Sequence, residues 1–197
     1  MASADFSLGS AGAGFGATTA DLRGGLGSAS AVSPEGYTVG ALVAVNAVGQ
    51  VTIGDGPHFW AAPYEIGTEF GGLGWPSSLP PTALTLRTKG HSTGNTTIAV
   101  VATDAALTKS QAKRLAVTAQ DGLARAIRPV HTPLDGDSVF AAATGAKPLG
   151  DPIWSLASLG ALAADVLARA IARGVYAAAS SSGLIGMPPA WKDRFKG

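Results

Sequence analysis

Residues 94–145 read GNTTIAVVATDAALTKSQAKRLAVTAQDGLARAIRPVHTPLDGDSVFAAATG. Inside this stretch Thr96 to Ala105 (TTIAVVATDA) is a short, nearly continuous apolar run with β-branched residues, the signature of a buried strand. Thr108-Lys-Ser-Gln111 follows: Thr108 caps a helix and Gln111 reaches back, a capping box. Ala112, Leu115, Ala116, Ala119, Leu123, Ala126 and Ile127 then recur at three- and four-residue spacing, while Lys109, Lys113, Arg114, Asp121 and Arg125 fall largely on other faces. This predicts an amphipathic helix stopped by Pro129. Asp137 to Thr144 reads as a second buried strand, and strand, helix, strand in this order indicates an α/β protein.

On the C-terminal side, residues 153–179 form a long Ala/Leu helix, apolar almost all round, expected between layers or in an oligomer core. Asp165, Arg169 and Arg173 at its middle argue for a buried helix and against a membrane span. The last segment is expected to dock through Trp191. On the N-terminal side, residues 54–95 are aperiodic, rich in Pro and Gly, and carry Phe59, Trp60, Tyr64, Phe70 and Trp75, a long loop of the kind that is functional or a linker. Thr38 to Ala47 is β-rich, and Val51 to Ile53 is expected to pair back on it as a hairpin. Residues 9–30 hold Gly, Ala, Ser and Thr and few large side chains.

Composition bounds the function. The chain has 197 residues, with 14 Lys plus Arg against 13 Asp plus Glu. A net charge of +1 supplies no basic face for nucleic acid or an anionic membrane. Charged residues are 14% of the chain, against about 25% in typical domains. With 27 Gly and abundant Ala, this implies backbones packed closely or surface hidden in an oligomer. No Cys is present, which excludes disulfides, thiolate metal sites and Cys nucleophiles. His58, His91 and His131 lack metal-ligand spacing, so neither metal nor cofactor is expected. The first residues show no basic, then apolar, leader pattern, so a cytoplasmic location is expected.

Four places carry candidate chemistry. Gly12-Ala-Gly14-Phe-Gly16 nearly matches a dinucleotide fingerprint, but no buried strand precedes it and no good helix follows, so it reads as a tight turn. Thr96 heads a buried strand directly after a long loop, where N-terminal-nucleophile hydrolases keep a hydroxyl whose base is its own freed α-amine; strands are also simply rich in Thr. Asp135-Gly-Asp137 aims two carboxylates from one turn, or is an ordinary Asp-Gly strand entry. Asn46 ends a hydrophobic strand and serves either an oxyanion hole or a neighbouring loop.

Together these pieces resemble the L-aminopeptidase/D-esterase (DmpA-like) family, which includes β-peptidyl aminopeptidases and the nylon-oligomer endohydrolase. The resemblance rests on residues 94–145, on AGAGFGATTADLRGGLGSAS (11–30) and on YTVGALVAVN (37–46), in the family's order. It implies a four-layer α/β/β/α sandwich, a homo-oligomer of processed pairs, and self-cleavage between Asn95 and Thr96 into an α-part (1–95) and a β-part (96–197). Thr96 would be the nucleophile and Asn46 an oxyanion ligand. Asp135 and Asp137 match the paired acidic positions of the nylon-hydrolase branch, where they orient the nucleophile's amine or the substrate. Short peptides or oligoamides are the implied substrates. Arg23 stands where the family's L-K-G-G segment carries Lys near the nucleophile, and Arg stays charged where Lys could shuttle a proton. The chain begins just before the Gly-rich motif, so it reads as the C-terminal portion of a longer precursor. Two other readings accompany this one: an acyltransferase of the ornithine acetyltransferase type, and a fragment inactive without its missing N-terminal segment.

Overall fold

The computed structural model describes residues 5–90, 94–180 and 186–195. The apolar run heads a strand, β3 (Ile98–Ala105), at an inner position of a four-stranded mixed sheet. Its neighbours are β2 (Thr38–Val45), antiparallel, and β4 (Ser138–Lys147), parallel; β1 (Gly25–Val32) pairs antiparallel with β2 and completes the order β1-β2-β3-β4. The parallel β3/β4 pair needs a crossover, and α1 (Lys109–Ala119) and α2 (Asp121–Ala126) supply it. The capping box forms as its spacing implies: the Thr108 side chain accepts from the Gln111 N–H, and the Gln111 side chain accepts from the Thr108 N–H. The helix is interrupted at Gln120, where the backbone tightens before Asp121, so one amphipathic pattern yields two short helices.

α3 (Trp154–Tyr176) packs on β1 and β2 and beside α1 and α2. It is long and apolar enough to cross a bilayer, yet most of it is buried inside the protein. Its charged residues are satisfied by neighbours: Arg169 donates to Glu69 Oε1 at 2.6 Å and Oε2 at 3.0 Å and to the Ser30 carbonyl at 2.9 Å; Arg173 donates to Ser28 O; Asp165 accepts from Arg125. The core is the helix-facing side of the sheet, with Val39, Val43, Val45 and Val101 against Leu159, Leu167 and Ile171. Burying each such side chain contributes about 1.5–3 kcal/mol.

The abundance of small residues has a local cause. A Cβ on Gly27 would lie 1.9 Å from the Ala170 carbonyl oxygen, so α3 rides directly on the β1 backbone. The opposite sheet face is apolar and open: Leu42, Ile98 and Phe140 are all exposed.

Three expectations are corrected. Residues 51–53 form no hairpin with β2; its two edges are taken by β1 and β3, while Gln50 bridges to Arg128 and Thr52 to Phe59. The segment expected as a buried strand at 137–144 is an edge strand whose residues are exposed or half-buried, because its outer face meets no second layer among the described residues. The described residues form one sheet and one helical layer, so the four-layer sandwich is not contained in them. The tail does dock: Trp191 stacks on Phe59 (centroids 5.7 Å apart) and its Nε1–H donates to the Pro57 carbonyl at 3.0 Å.

Candidate active site

Strand register builds the site. Ile98 pairs with Ser138, and the parallel alignment continues outward through an Asn95–Asp135 bridge, so residues 95–97 run beside residues 135–137. Ala44 pairs with Ile98 across the antiparallel edge, which brings Asn46, just past the end of β2, opposite Thr96. Thus the exit of β2 and the entries of β3 and β4 meet at one end of the sheet.

There the Thr96 N–H donates to the Asn46 carbonyl at 2.9 Å. The Thr96 hydroxyl donates to the Asn95 carbonyl oxygen at 2.7 Å, which holds it beside the carbonyl on its own N-terminal side. The Gly136 N–H donates to the same oxygen at 2.9 Å. The Asn46 amide is held at both ends: Oδ1 accepts from Thr18 N–H at 3.2 Å and Lys89 Nζ at 2.7 Å, and Nδ2 donates to the Gly94 carbonyl at 2.7 Å.

The two aspartates divide the work. Asp137, with a nearly buried side chain, accepts from the Thr97 N–H at 3.0 Å and pairs with His131 Nδ1 at 3.0 Å. Asp135 accepts from Val48 N–H at 3.1 Å and from the Thr132 N–H and hydroxyl at 3.1 and 2.8 Å, which pins its loop to the segment after β2. Neither carboxylate bonds Thr96 in the intact chain; each holds a neighbouring backbone segment in place. Burial pushes the Lys89 ammonium down to about 8, partly opposed by the negative charge of Asp135.

Arg23 is tied to the site through the backbone, bridged to Thr18, whose own N–H donates to Asn46. Its side chain is buried, its backbone N–H donates to the Pro189 carbonyl at 2.9 Å, and its Nη1 finds no hydrogen-bond partner among the described residues. It is not hydrogen-bonded to Thr96, Asn46, Asp135 or Asp137. Lys89 instead brings a cation to Asn46. Sequence reading missed Lys89, which lies in the aperiodic loop; the available signal was a lysine seven residues ahead of the junction. It also passed over Gly136 as a turn residue, although a Cβ there would meet the Thr96 hydroxyl.

A cleft of about 270 Å³ opens at Thr96, lined by Ala13, Gly16, Ala17, Ala44, Asn46 and Ile98. The Gly12–Gly14 turn is a short 3-10 turn leading into this wall; among the described residues no strand–turn–helix unit for a nucleotide surrounds it. Ala13, Ala44 and Ile98 also line an apolar groove that runs over the open sheet face to Leu42 and Phe140. Among the described residues no group of three or more His, Asp or Glu side chains gathers as a metal site; His91 lies outside them.

The mixed sheet under one helical layer is an α/β fold that resembles a solved structure of the Ntn-hydrolase type. The chain is a member of Peptidase family S58, which it matches over residues 1–187. It is 40% identical over 210 residues to an uncharacterized aminopeptidase of Mycobacterium bovis, covering 100% of this chain and 59% of that one. An uncharacterized aminopeptidase of Mycobacterium leprae is 42% identical over 191 residues, covering 92% of this chain and 52% of its own length. Among solved structures it resembles the PH0078 protein of Pyrococcus horikoshii (TM-score 0.66, 27% identity, 94% of this chain and 49% of that one). It also resembles the L-aminopeptidase D-Ala-esterase/amidase of Ochrobactrum anthropi, described as a variant of the Ntn-hydrolase fold (TM-score 0.62, 25% identity, 93% and 48%). The chain therefore spans about half to three fifths of these relatives.

Proposed function

We propose that this chain is the self-cleaving portion of an aminopeptidase that acts on short peptides or oligoamides through Thr96. The observation that carries the reading is the Asn95 carbonyl, which receives the Thr96 hydroxyl at 2.7 Å and the Gly136 N–H at 2.9 Å. In the first step Thr96 Oγ1 attacks the Asn95 carbonyl carbon. The oxyanion rests on the Gly136 N–H. The Asn95–Thr96 C–N bond breaks, and the nitrogen leaves with the proton lost by the hydroxyl. Water then hydrolyses the Asn95 ester, giving an α-part (1–95) with a carboxylate end and a β-part (96–197) with a free α-amine.

In turnover that amine, which titrates near 8 in an unperturbed chain, takes the hydroxyl proton as Oγ1 attacks a substrate amide. It then protonates the leaving amine, and water releases the acyl group. Asn46 Nδ2 and the Gly136 N–H are the donors for the oxyanion. The small residues Ala13, Gly16, Ala17 and Ala44 form the wall of the substrate cleft. Asp137, already bonded to Thr97 N–H, stands next to the new terminus and balances the charge of a protonated amine or substrate ammonium.

One observation favours a second reading, in which the working form carries a further layer on this sheet. The exposed face bearing Leu42, Ile98 and Phe140 is apolar, and large apolar patches mark surfaces that are covered in the working protein. On this reading an added polypeptide layer, completing a four-layer sandwich, is required for activity, and the working form is an oligomer of processed pairs.

Intact mass after incubation tests the self-cleavage. Two fragments splitting between Asn95 and Thr96, absent in Thr96→Ala, support self-cleavage. A wild-type chain that stays single at every pH overturns it for the isolated chain.

A further inference from the structure

We propose that Lys89 is a positioning residue, whose ammonium locks the Asn46 side chain with its amide NH₂ turned towards the Gly94–Thr96 junction. The inference rests on the self-cleavage reading for its consequence, but its structural core stands apart from it.

An amide side chain is nearly symmetric. The oxygen and nitrogen of an Asn side chain have similar size, and only their partners decide which way the group faces. Asn46 meets the Thr18 N–H at 3.2 Å and Lys89 Nζ at 2.7 Å on one side. Both are donors, so the carbonyl oxygen must face them. On the other side it meets the Gly94 carbonyl at 2.7 Å, an acceptor that only the NH₂ can satisfy. The Thr18 contact is long, and the shorter, charged one comes from Lys89; charge-assisted bonds are roughly twice as strong as neutral ones. A cation on the amide oxygen also draws electron density towards it and makes the NH₂ a better donor.

Lys89 is itself held for this task. Its backbone N–H donates to the Val48 carbonyl at 3.1 Å, two residues beyond Asn46. The side chain lines a hollow with Thr18, Thr19 and Ala20 on its way to the amide. Among the described residues Asp135 is the charged group whose field acts on it. Asp135 in turn accepts from the Val48 N–H, so Lys89, Asp135 and Asn46 are all tied to the short segment at 46–48. The buried Arg23 makes no such contact, which leaves Lys89 as the cation on this amide.

Two measurements on the full chain decide the matter. In the first, the Asn46 side-chain NH₂ is followed by NMR in Thr96→Ala, which stays uncut, and assigned by its loss in Asn46→Asp. Lys89→Met in the same background is expected to shift the NH₂ pair and speed its hydrogen exchange at least about tenfold. The pair should also titrate with a midpoint near pH 8 when Lys89 is present, and not with Met there. An unchanged exchange rate with no titration overturns the assignment, whether or not the chain ever cleaves.

The second measurement is the rate of fragment formation by intact mass. Lys89→Met should slow cleavage at least about tenfold, because an unlocked Asn46 NH₂ no longer holds the Gly94 carbonyl one residue before the junction; the loss stays short of the ~10²–10³ that removal of an oxyanion donor costs. Lys89→Arg should restore most of the rate at pH 7. It should gain on wild type by pH 9, because Arg stays charged where the Lys89 ammonium is lost. Equal rates for Met and Lys at every pH overturn the proposal. A wild-type chain that never cuts overturns the self-cleavage reading instead, and the NMR arm then decides Lys89 by itself.

Discussion

A Cβ at position 136 would lie 2.7 Å from the Thr96 hydroxyl oxygen, closer than such atoms pack. Gly136 therefore does two things at once: its N–H holds the Asn95 carbonyl, and its bare Cα leaves room for the hydroxyl beside that carbonyl. Gly136→Ala keeps the N–H but pushes the Thr96 side chain aside. Misplacing a reacting group by about 1 Å costs about 10² in rate. We expect Gly136→Ala to cleave about a hundredfold slower than wild type by intact mass, with a thermal midpoint within a few degrees of it. Wild-type cleavage in this variant would refute the geometry.

Asn46→Asp separates charge from hydrogen-bond polarity. An aspartate still accepts from Thr18 and Lys89, so the contacts on that side are kept. Its second oxygen faces the Gly94 carbonyl where an NH₂ belonged. The expected outcome is loss of about 10²–10³ in turnover against an amino-acid anilide, the magnitude of a lost oxyanion donor. A variant that hydrolyses the anilide at the wild-type rate removes Asn46 from the oxyanion hole.

These residues were legible to unequal degrees, for physical reasons. β3 and the Thr108 cap are local: a β-branched run and a Thr-x-x-Gln spacing carry their own structure. β1 was hidden because GLGSASAV has few strand-forming side chains. What makes it a strand is tertiary, the passage of α3 over Gly27, and no short window of sequence contains that. The edge position of β4 and the open face were hidden for the same reason, since burial depends on layers and not on the apolar run itself. At the site, Thr96, Asn46 and Asp137 could be named from motif order, and register then brought them together. Lys89 could not be named, because it reaches Asn46 from a loop without periodicity.

Gly27 tests the tertiary explanation of β1. A methyl group there would stand 1.9 Å from the Ala170 carbonyl oxygen, a backbone atom that only a shift of α3 could move. Such overpacking costs about 1–3 kcal/mol and sometimes more. Gly27→Ala should lower the urea midpoint by the equivalent of about 3 kcal/mol. Ser30→Ala, on the same strand but exposed, should change it little. Equal midpoints for the two variants would show that the helix does not rest on that backbone.

The Glu69–Arg169 pair links the long loop to α3 and gives the fold a predictable acid limb. Both side chains are largely buried, 15% and 8% exposed, and joined at 2.6 Å. Burial pushes the Glu69 carboxyl up, but the Arg169 bond, the Ile66 N–H and the charges of Arg169 and Arg173 outweigh it and hold it below its usual value. The sign follows. A carboxyl lowered on folding contributes stability above its unfolded value of about 4.5 and loses it as pH falls through the lower folded value. Glu69→Gln should therefore flatten the fall in thermal midpoint between pH 5 and more acid conditions. Arg169→Met leaves the Glu69 carboxylate with only the longer Arg173 contact at 3.6 Å and should destabilise by about 1–3 kcal/mol at pH 7. That loss should shrink on acidification, because protonating Glu69 removes the charge that Arg169 had balanced. An Arg169→Met penalty that is the same at pH 7 and pH 4 would mean that the arginine acts through its hydrogen bond to the Ser30 carbonyl of β1, and not through the ion pair.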